Sequence, residues 1–279
     1  MPTATLTGVR TCPQGLRADR PLLSPVWENG SMHDGLRVLT LNVAHGRGVG
    51  FHQSLTRRRD VEKNLDDVAR LIAAVEADVV ALQELDAPSA WSGGFDHLAW
   101  LADRTGFNHV YHGLHMNLRR PMPLAYGTGV LSRFPIREGF TRRFAQNPLD
   151  TKGFVHVRVA GPGFEMDVVS VHLDFKRERE RRAQLSILGR HLQERGKRGP
   201  LVVAGDFNTT RCRQTLPAFM GAHQLRPAGD PDPTFPAARP RRRLDEVLVC
   251  ECLEVRRHQV PDVQVSDHRP VLAEVGLDH

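Results

Sequence analysis

Short β-branched apolar runs alternate along the chain with stretches whose apolar residues recur every three or four positions, the pattern of an α/β fold. The spacing predicts strands over residues 37–42 (RVLTLN), 78–84 (DVVALQE), 109–112, 127–131, 154–159, 166–172, 201–204, 245–249 and 271–275. It predicts helices over 60–76, 96–104 and 177–193. In the first helix Val61, Leu65, Val68, Ala69 and Ile72 make one apolar face; in the third, Leu185, Leu188 and Leu192 do so. The turn AGPGFE joins strands 154–159 and 166–172 as a hairpin, so the sheets are expected to be mixed rather than all-parallel.

Outside these elements the pattern changes. Residues 1–33 carry Pro, Gly and Arg without apolar periodicity and are expected to be a flexible extension before one domain over 34–279. The Pro-rich stretch 227–240 is too long for a tight turn, and long ordered loops tend to be functional, so it is expected to border the active site.

A chain of 279 residues, 40% of them hydrophobic, can bury a sizeable core without disulfides. Cys12, Cys212, Cys250 and Cys252 show no CxxC spacing and there is no HExxH run, so zinc is not indicated. The thiols are expected to be free, as in a reducing compartment. With no apolar run of about 18 residues and no signal-like h-region, the chain is expected to be cytoplasmic, without a transmembrane segment. The net charge of +6 favours anionic partners. KRERERR (176–182) reads as a solvated helix face, whereas RPRRRLDE (239–246) is the better anion-facing edge.

Polar residues cluster where predicted strands end: Asn42, Glu84, His172 with Asp174, Asp206 with Asn208, Asp245, and Asp267 with His268. Loops at strand ends converge on ligands in α/β sheets. Hard carboxylate and amide oxygens suit Mg²⁺, and two histidines supply proton transfer and charge for phosphoryl chemistry. In the HGLH stretch, His112 and His115 read as surface or core histidines rather than ligands.

The segments TLNVAHG, ALQELD, YGTGVLSRFPI, VVSVHLDF, VVAGDFNTT, RRLDEVLV and SDHRPV resemble, in order over about 36–276, the motifs of the endonuclease/exonuclease/phosphatase family. The resemblance implies a four-layer α/β sandwich, two mixed β-sheets packed face to face with helices outside, and a phosphoesterase requiring Mg²⁺ or Mn²⁺. It implies Glu84 as main metal ligand with Asn42 and Asp267 in the metal environment, and Asp206 positioning the attacking water. Asn208 would bond a phosphate oxygen and His172 would stabilise transition-state charge. His268, oriented by Asp245, would act as general base or charge stabiliser.

Three features depart from the family pattern. Ala44 stands where apurinic endonucleases carry an acid, followed by His45 and Arg47. No residue aligns firmly with their active-site Tyr, although Tyr111 and Asn117 lie in the right region. Arg133 reads as either structural or catalytic. The expected substrate is a small phosphoester or phospholipid headgroup, with a DNA or RNA nuclease as the alternative and a non-catalytic binding module on the same fold as a third reading. The oligomeric state is not readable from sequence.

Overall fold

The computed structural model describes residues 35–50, 57–119, 121–145, 151–196, 199–210, 213–230 and 232–277; the expected extension over 1–33 lies outside the described residues. One six-stranded sheet has the order β11-β12-β1-β2-β4-β3. Its strands are β1 (Gly35–Asn42), β2 (Val79–Asp86), β3 (His109–Leu118), β4 (Leu124–Ser132), β11 (Leu253–Gln259) and β12 (Val271–Leu277). The other has the order β5-β6-β7-β8-β10-β9. It comprises β5 (Ile136–Arg143), β6 (Gly153–Gly161), β7 (Phe164–His172), β8 (Leu201–Asp206), β9 (Leu225–Pro227) and β10 (Asp245–Cys250). The pairs β1/β2 and β7/β8 are parallel and the remaining pairs antiparallel, so both sheets are mixed, as the 160–165 turn implied.

A parallel pair needs a long crossover, and here each crossover carries a helix: α1 (Arg58–Ala74) between β1 and β2, and α3 (Glu178–Arg195) between β7 and β8. The helices α2 (His97–Thr105) and α4 (Thr215–Ala222) complete the outer layers. Asp96 caps α2 by accepting from Ala99 N at 2.9 Å, and Gly106 ends it at φ 72°.

Three apolar clusters define four layers. Leu39, Leu41, Val80 and Leu82 face α1 and α2 through Val61, Leu65, Val68 and Ile72. Val38, Val79 and Ala81 face the opposite way, against Val155, Val157, Val168, Val202 and Val247 of the second sheet. Val169, Val171, Val203 and Leu248 pack beneath Leu185, Leu188, Leu216 and Phe219 of α3 and α4. The central strands are thus buried on both faces, which is why they read as continuous apolar runs. Each fully buried Val or Leu contributes roughly 1.5–3 kcal/mol relative to exposure.

A polar strut crosses this apolar interface. Buried Gln83 donates from Nε2 to Ser170 Oγ at 3.1 Å and to Thr40 Oγ1 at 3.2 Å, and Ser170 Oγ donates to Leu82 O at 3.0 Å. It ties β1, β2 and β7 together one residue before Glu84 and two residues before Asn42 and His172.

Cys250 and Cys252 are disulfide-bonded at the turn between β10 and β11, which corrects the free-thiol expectation for this pair. Two residues apart at a hairpin turn, their Cα atoms lie 5.4 Å from each other, within bridging range. Cys12 and Cys212 lie outside the described residues. Among the described residues no helix is long and apolar enough to cross a membrane.

Candidate active site

The ladder brings the polar strand ends together. In β7 and β8 His172 is the register partner of Asp206, and across β8 and β10 Asp206 is the partner of Asp245. Asn42 ends β1 on the facing sheet and donates from Nδ2 to Asp206 Oδ2 at 3.1 Å, bridging the two sheets. Its Oδ1 accepts from Ala44 N at 3.0 Å, and its backbone carbonyl accepts from Ser266 Oγ at 2.6 Å, which fastens the Ser266-Asp267-His268 loop to the end of β1.

Glu84 is delivered by a bulge. The β2/β4 register shifts between Gln83 and Leu85, and Glu84 itself takes φ 53°. A bulge re-aims a side chain, and a left-handed non-glycine residue is strained, so the surrounding fold must hold it there. Ala44, His45 and Asn208 also adopt left-handed φ (49°, 55° and 50°) at this edge.

Around Glu84 the positive groups are dense. His45 Nε2 lies 3.5 Å away, Arg47 Nη1 3.8 Å, His172 Nε2 3.8 Å and Lys152 Nζ 3.9 Å. Burial pushes the Glu84 carboxyl up, but these four neighbours outweigh it and hold the group well below the usual carboxylate range. Arg47 also pairs with Asp267, so one guanidinium faces two carboxylates. His45 Nδ1 donates to Asp86 Oδ1 at 2.7 Å, and Trp91 Nε1 donates to the same carboxylate at 2.7 Å. Burial lowers the His45 pKa, yet Glu84 and Asp86 raise it on balance.

A second cluster gathers titratable groups around Asp206. His268 Nδ1 is 2.8 Å from Asp245 Oδ2, which also accepts from Thr234 Oγ1 at 2.6 Å. His268 Nε2 faces Asp206 Oδ2 at 3.9 Å, and His172 Nε2 is 3.5 Å from the same oxygen. Desolvation raises the pKa of Asp206, with Asp245 adding to the rise. Burial pulls the His268 imidazole down, but the charges of Asp245 and Asp206 dominate and keep it protonated well above the ordinary histidine range. His172 is depressed by burial and by Lys152, whose Nζ is 2.6 Å from its Nε2. Asp206, Asp245 and His268 offer ligand atoms within 4.8 Å of one another, close enough to hold a metal ion.

The eight residues given site roles in the sequence, Asn42, Glu84, His172, Asp206, Asn208, Asp245, Asp267 and His268, therefore belong to one linked constellation, whereas Asp174 accepts from Lys176 N and Arg177 N at the start of α3. Asn208 donates from Nδ2 to Leu173 O at 3.0 Å, and its backbone N–H donates to Asp206 Oδ1 at 2.9 Å. The 227–240 stretch does border the site: Thr234 holds Asp245, and the Phe235 ring lies 4.8 Å from that of His268. Lys152 was not singled out; in TKGF it looks like a surface lysine at a strand start. Nor was Tyr126, which lines a cavity of about 190 Å³ with His45, Glu84, Thr151, Lys152, His172 and Phe175. Tyr111 instead packs against the inter-sheet core. Arg133 is structural, donating to Ala77 O at 2.9 Å and lying over the Phe107 ring. His115 is a core histidine bonded to Thr128 Oγ1 at 3.0 Å. Arg243, counted with the basic edge, is buried and paired with Glu246 at 2.7 Å, whereas Arg239, Arg241 and Arg242 are exposed.

A face-to-face sheet sandwich with carboxylates, amides and histidines converging on one edge defines a hydrolase-type centre built for an anionic ester. The model of the Endonuclease/Exonuclease/phosphatase family matches residues 39–268, and the chain belongs to that family. It is 30% identical over 272 residues to the uncharacterised protein YbhP of Escherichia coli (strain K12), covering 86% of this chain and 96% of YbhP. The fold is shared with an endonuclease/exonuclease/phosphatase from Beutenbergia cavernae (TM-score 0.70, 24% identity, 87% of this chain and 72% of that one). It is shared also with the mannosyl-6-phosphatase Bt3783 of Bacteroides thetaiotaomicron (TM-score 0.66, 17% identity, 86% and 99%). Family members are generally hydrolases of phosphoesters and typically depend on a divalent metal.

Proposed function

We propose that residues 34–279 form a catalytic domain that hydrolyses a phosphate mono- or diester with Mg²⁺ or Mn²⁺, preferring a small phosphoester or lipid headgroup. The observation that carries this reading is the division of the site into two adjoining parts, Glu84 with Asp267 and Asp206 with His268 and Asp245, joined through Asn42.

The donor chemistry at Glu84 and Asp267 fits a hard divalent cation: both ligands are carboxylates, both side chains are partly open (20% and 25% exposed), and both already face one cationic head group. Asn42 stands beside them. Bound there, the ion would polarise the phosphoryl group and offset its charge. The chain's own groups do the rest. Asp206, with its proton affinity raised by burial, accepts a proton from the attacking water. Protonated His268, kept in orientation by Asp245, stabilises charge developing on phosphoryl oxygens, and His172 with Lys152 does so from the other side. Asn208 bonds a phosphate oxygen.

The cavity of about 190 Å³ is walled by Tyr126, Lys152, His172 and Phe175, which supports a small phosphoester over a bulky one. The similarity in fold to a sugar-phosphate phosphatase is consistent with this preference. The exposed arginines 239, 241 and 242 beside the Phe235 turn favour the nuclease as second reading, since they could follow a phosphate backbone. A panel of sugar phosphates, inositol phosphates, choline phospholipids, bis-aryl phosphates and supercoiled plasmid, each with and without Mg²⁺, tests the reading. Turnover of a small or lipid substrate is expected. Efficient plasmid nicking at physiological salt with negligible turnover of all others would move the chain to the nucleases, and no turnover of any substrate would leave a binding module.

A further inference from the structure

Glu84 and Asp267 come from different elements, the β2 bulge and the loop before β12, and their carboxylates meet at Arg47. One Nη is paired with Asp267 and the other lies 3.8 Å from Glu84. Arg47 reaches this point from a short helical turn, residues 44–46, directly after Asn42. Two anchors fix the turn: Asn64 of α1 donates from Nδ2 to Gly46 O at 3.0 Å, and Arg47 Nε donates to Gly50 O at 3.1 Å. Gly46 and Gly48, at φ 73° and 62°, flank Arg47 and allow the tight approach of the turn to α1. Among the described residues, Glu84 and Asp267 are the carboxylates that face the guanidinium.

A divalent ion binding here would compete with the guanidinium for Glu84 Oε2 and Asp267 Oδ2. The like charges would lie within a few ångströms of each other in a partly desolvated site, where Coulomb repulsion is strong. For the carboxylates to open, the Arg47 side chain has to leave Glu84 and Asp267 and give up its Nε bond to Gly50 O, with the turn itself still held by Asn64.

We propose that Arg47 is a tethered cation that fills the Glu84–Asp267 pole and is exchanged for the divalent metal, setting the metal affinity of the site. The inference rests on the reading of Glu84 and Asp267 as metal ligands. It makes Arg47 a positioning residue: it preserves the carboxylate geometry without metal and is released beside the substrate phosphate when metal binds.

The test is Mn²⁺ binding to the full chain without substrate, followed by calorimetry and by the electron paramagnetic resonance of free Mn²⁺. Arg47→Gln is expected to bind Mn²⁺ about tenfold tighter than the wild type, because the ion no longer displaces a competing cation. Arg47→Lys, which keeps the charge, is expected to restore affinity to within about threefold of wild type. Mn²⁺ should also raise the melting temperature of Arg47→Gln more than that of the wild type. Adding Glu84→Gln to Arg47→Gln should abolish binding. Equal or weaker affinity of Arg47→Gln, with the wild type binding Mn²⁺ through Glu84, would overturn the exchange while leaving the ligand assignment intact. Binding that survives Glu84→Gln, or no saturable binding by either protein, would overturn the ligand assignment and the exchange with it.

Discussion

Asp245 holds His268 by a 2.8 Å contact to Nδ1, which leaves Nε2 directed at Asp206, 3.9 Å away. A carboxylate that fixes one ring nitrogen selects the tautomer and orientation at the other. Asp245→Asn should therefore lower kcat by about a hundredfold with a smaller change in KM, and His268→Ala by at least as much. Since the two residues act as a unit, the double variant should be hardly worse than His268→Ala. Steady-state kinetics on folded protein check this; additive losses would mean that Asp245 acts independently of His268.

Asp206→Asn removes the buried carboxylate on which Asn42, His172 and His268 converge. Turnover should fall by about a hundredfold or more, and the circular dichroism spectrum should be unchanged. Near wild-type turnover would remove Asp206 from the proton-accepting role.

Metal removal has an equally direct expectation. Exhaustive EDTA treatment should abolish hydrolysis, and Mg²⁺ or Mn²⁺ should restore it, because the ligand set at Glu84 and Asp267 is all oxygen. Full activity after chelation would sink the metal dependence.

Lys152 approaches His172 Nε2 at 2.6 Å and adds to the burial that keeps this histidine neutral. Lys152→Met should raise the pKa of His172, read from the imidazole resonances across a pH titration, and should lower kcat by about tenfold or more. An unmoved His172 titration would show that burial alone depresses it.

His115 provides a pH dependence separate from catalysis. Burial pushes its pKa down to about 3, with smaller contributions from His112, Lys152 and Arg143. Below about pH 6.5 the unfolded chain takes up this proton while the folded chain does not until about pH 3. The stability is therefore present above the unfolded pKa and is lost on acidification, with a slope of roughly 1.4 kcal/mol per pH unit from this group. Urea unfolding at about pH 6.5, 5.5 and 4.5 should show a shallower decline for His115→Gln than for the wild type, whatever its absolute stability. Parallel declines would assign the acid sensitivity to other groups.

The elements legible in the sequence are those whose apolar pattern is set by burial. Strands β1, β2, β7, β8 and β10 are covered on both faces and announce themselves as apolar runs. The elements not foreseen lie where burial is weak. β5 (IREGFTRR) is an edge strand of mostly exposed residues and β11 (LEVRRHQ) one of mostly polar, half-buried residues; β9 is three residues long; α4 is eight residues and contains Pro217. The strand-end acids, amides and histidines were legible because the ladder register alone brings His172, Asp206 and Asp245 into line. Tyr126, His45 and Lys152 owe their places to the strand facing the β2 bulge, a left-handed turn and a contact between the two sheets, none of which leaves a periodic trace in the chain.

The strand orders carry a further consequence. Each sheet holds its one parallel pair, β1/β2 or β7/β8, at the centre with two antiparallel pairings on either side, so β11-β12-β1-β2-β4-β3 and β5-β6-β7-β8-β10-β9 run through the same succession. Four of the polar groups occupy matching stations in the two sheets. Asn42 and His172 end the first strand of the parallel pair and Glu84 and Asp206 lie at or near the end of the second, whereas His268 precedes the neighbour of the first strand, β12, and Asp245 opens the neighbour of the second, β10. Topological equivalence thus coexists with chemical divergence: Glu84 sits among cations in one half, while desolvation favours a proton on Asp206 in the other. Neither sheet carries all of these groups, and they come together only where the two sheets meet at this edge, with Asn42 donating to Asp206 across it.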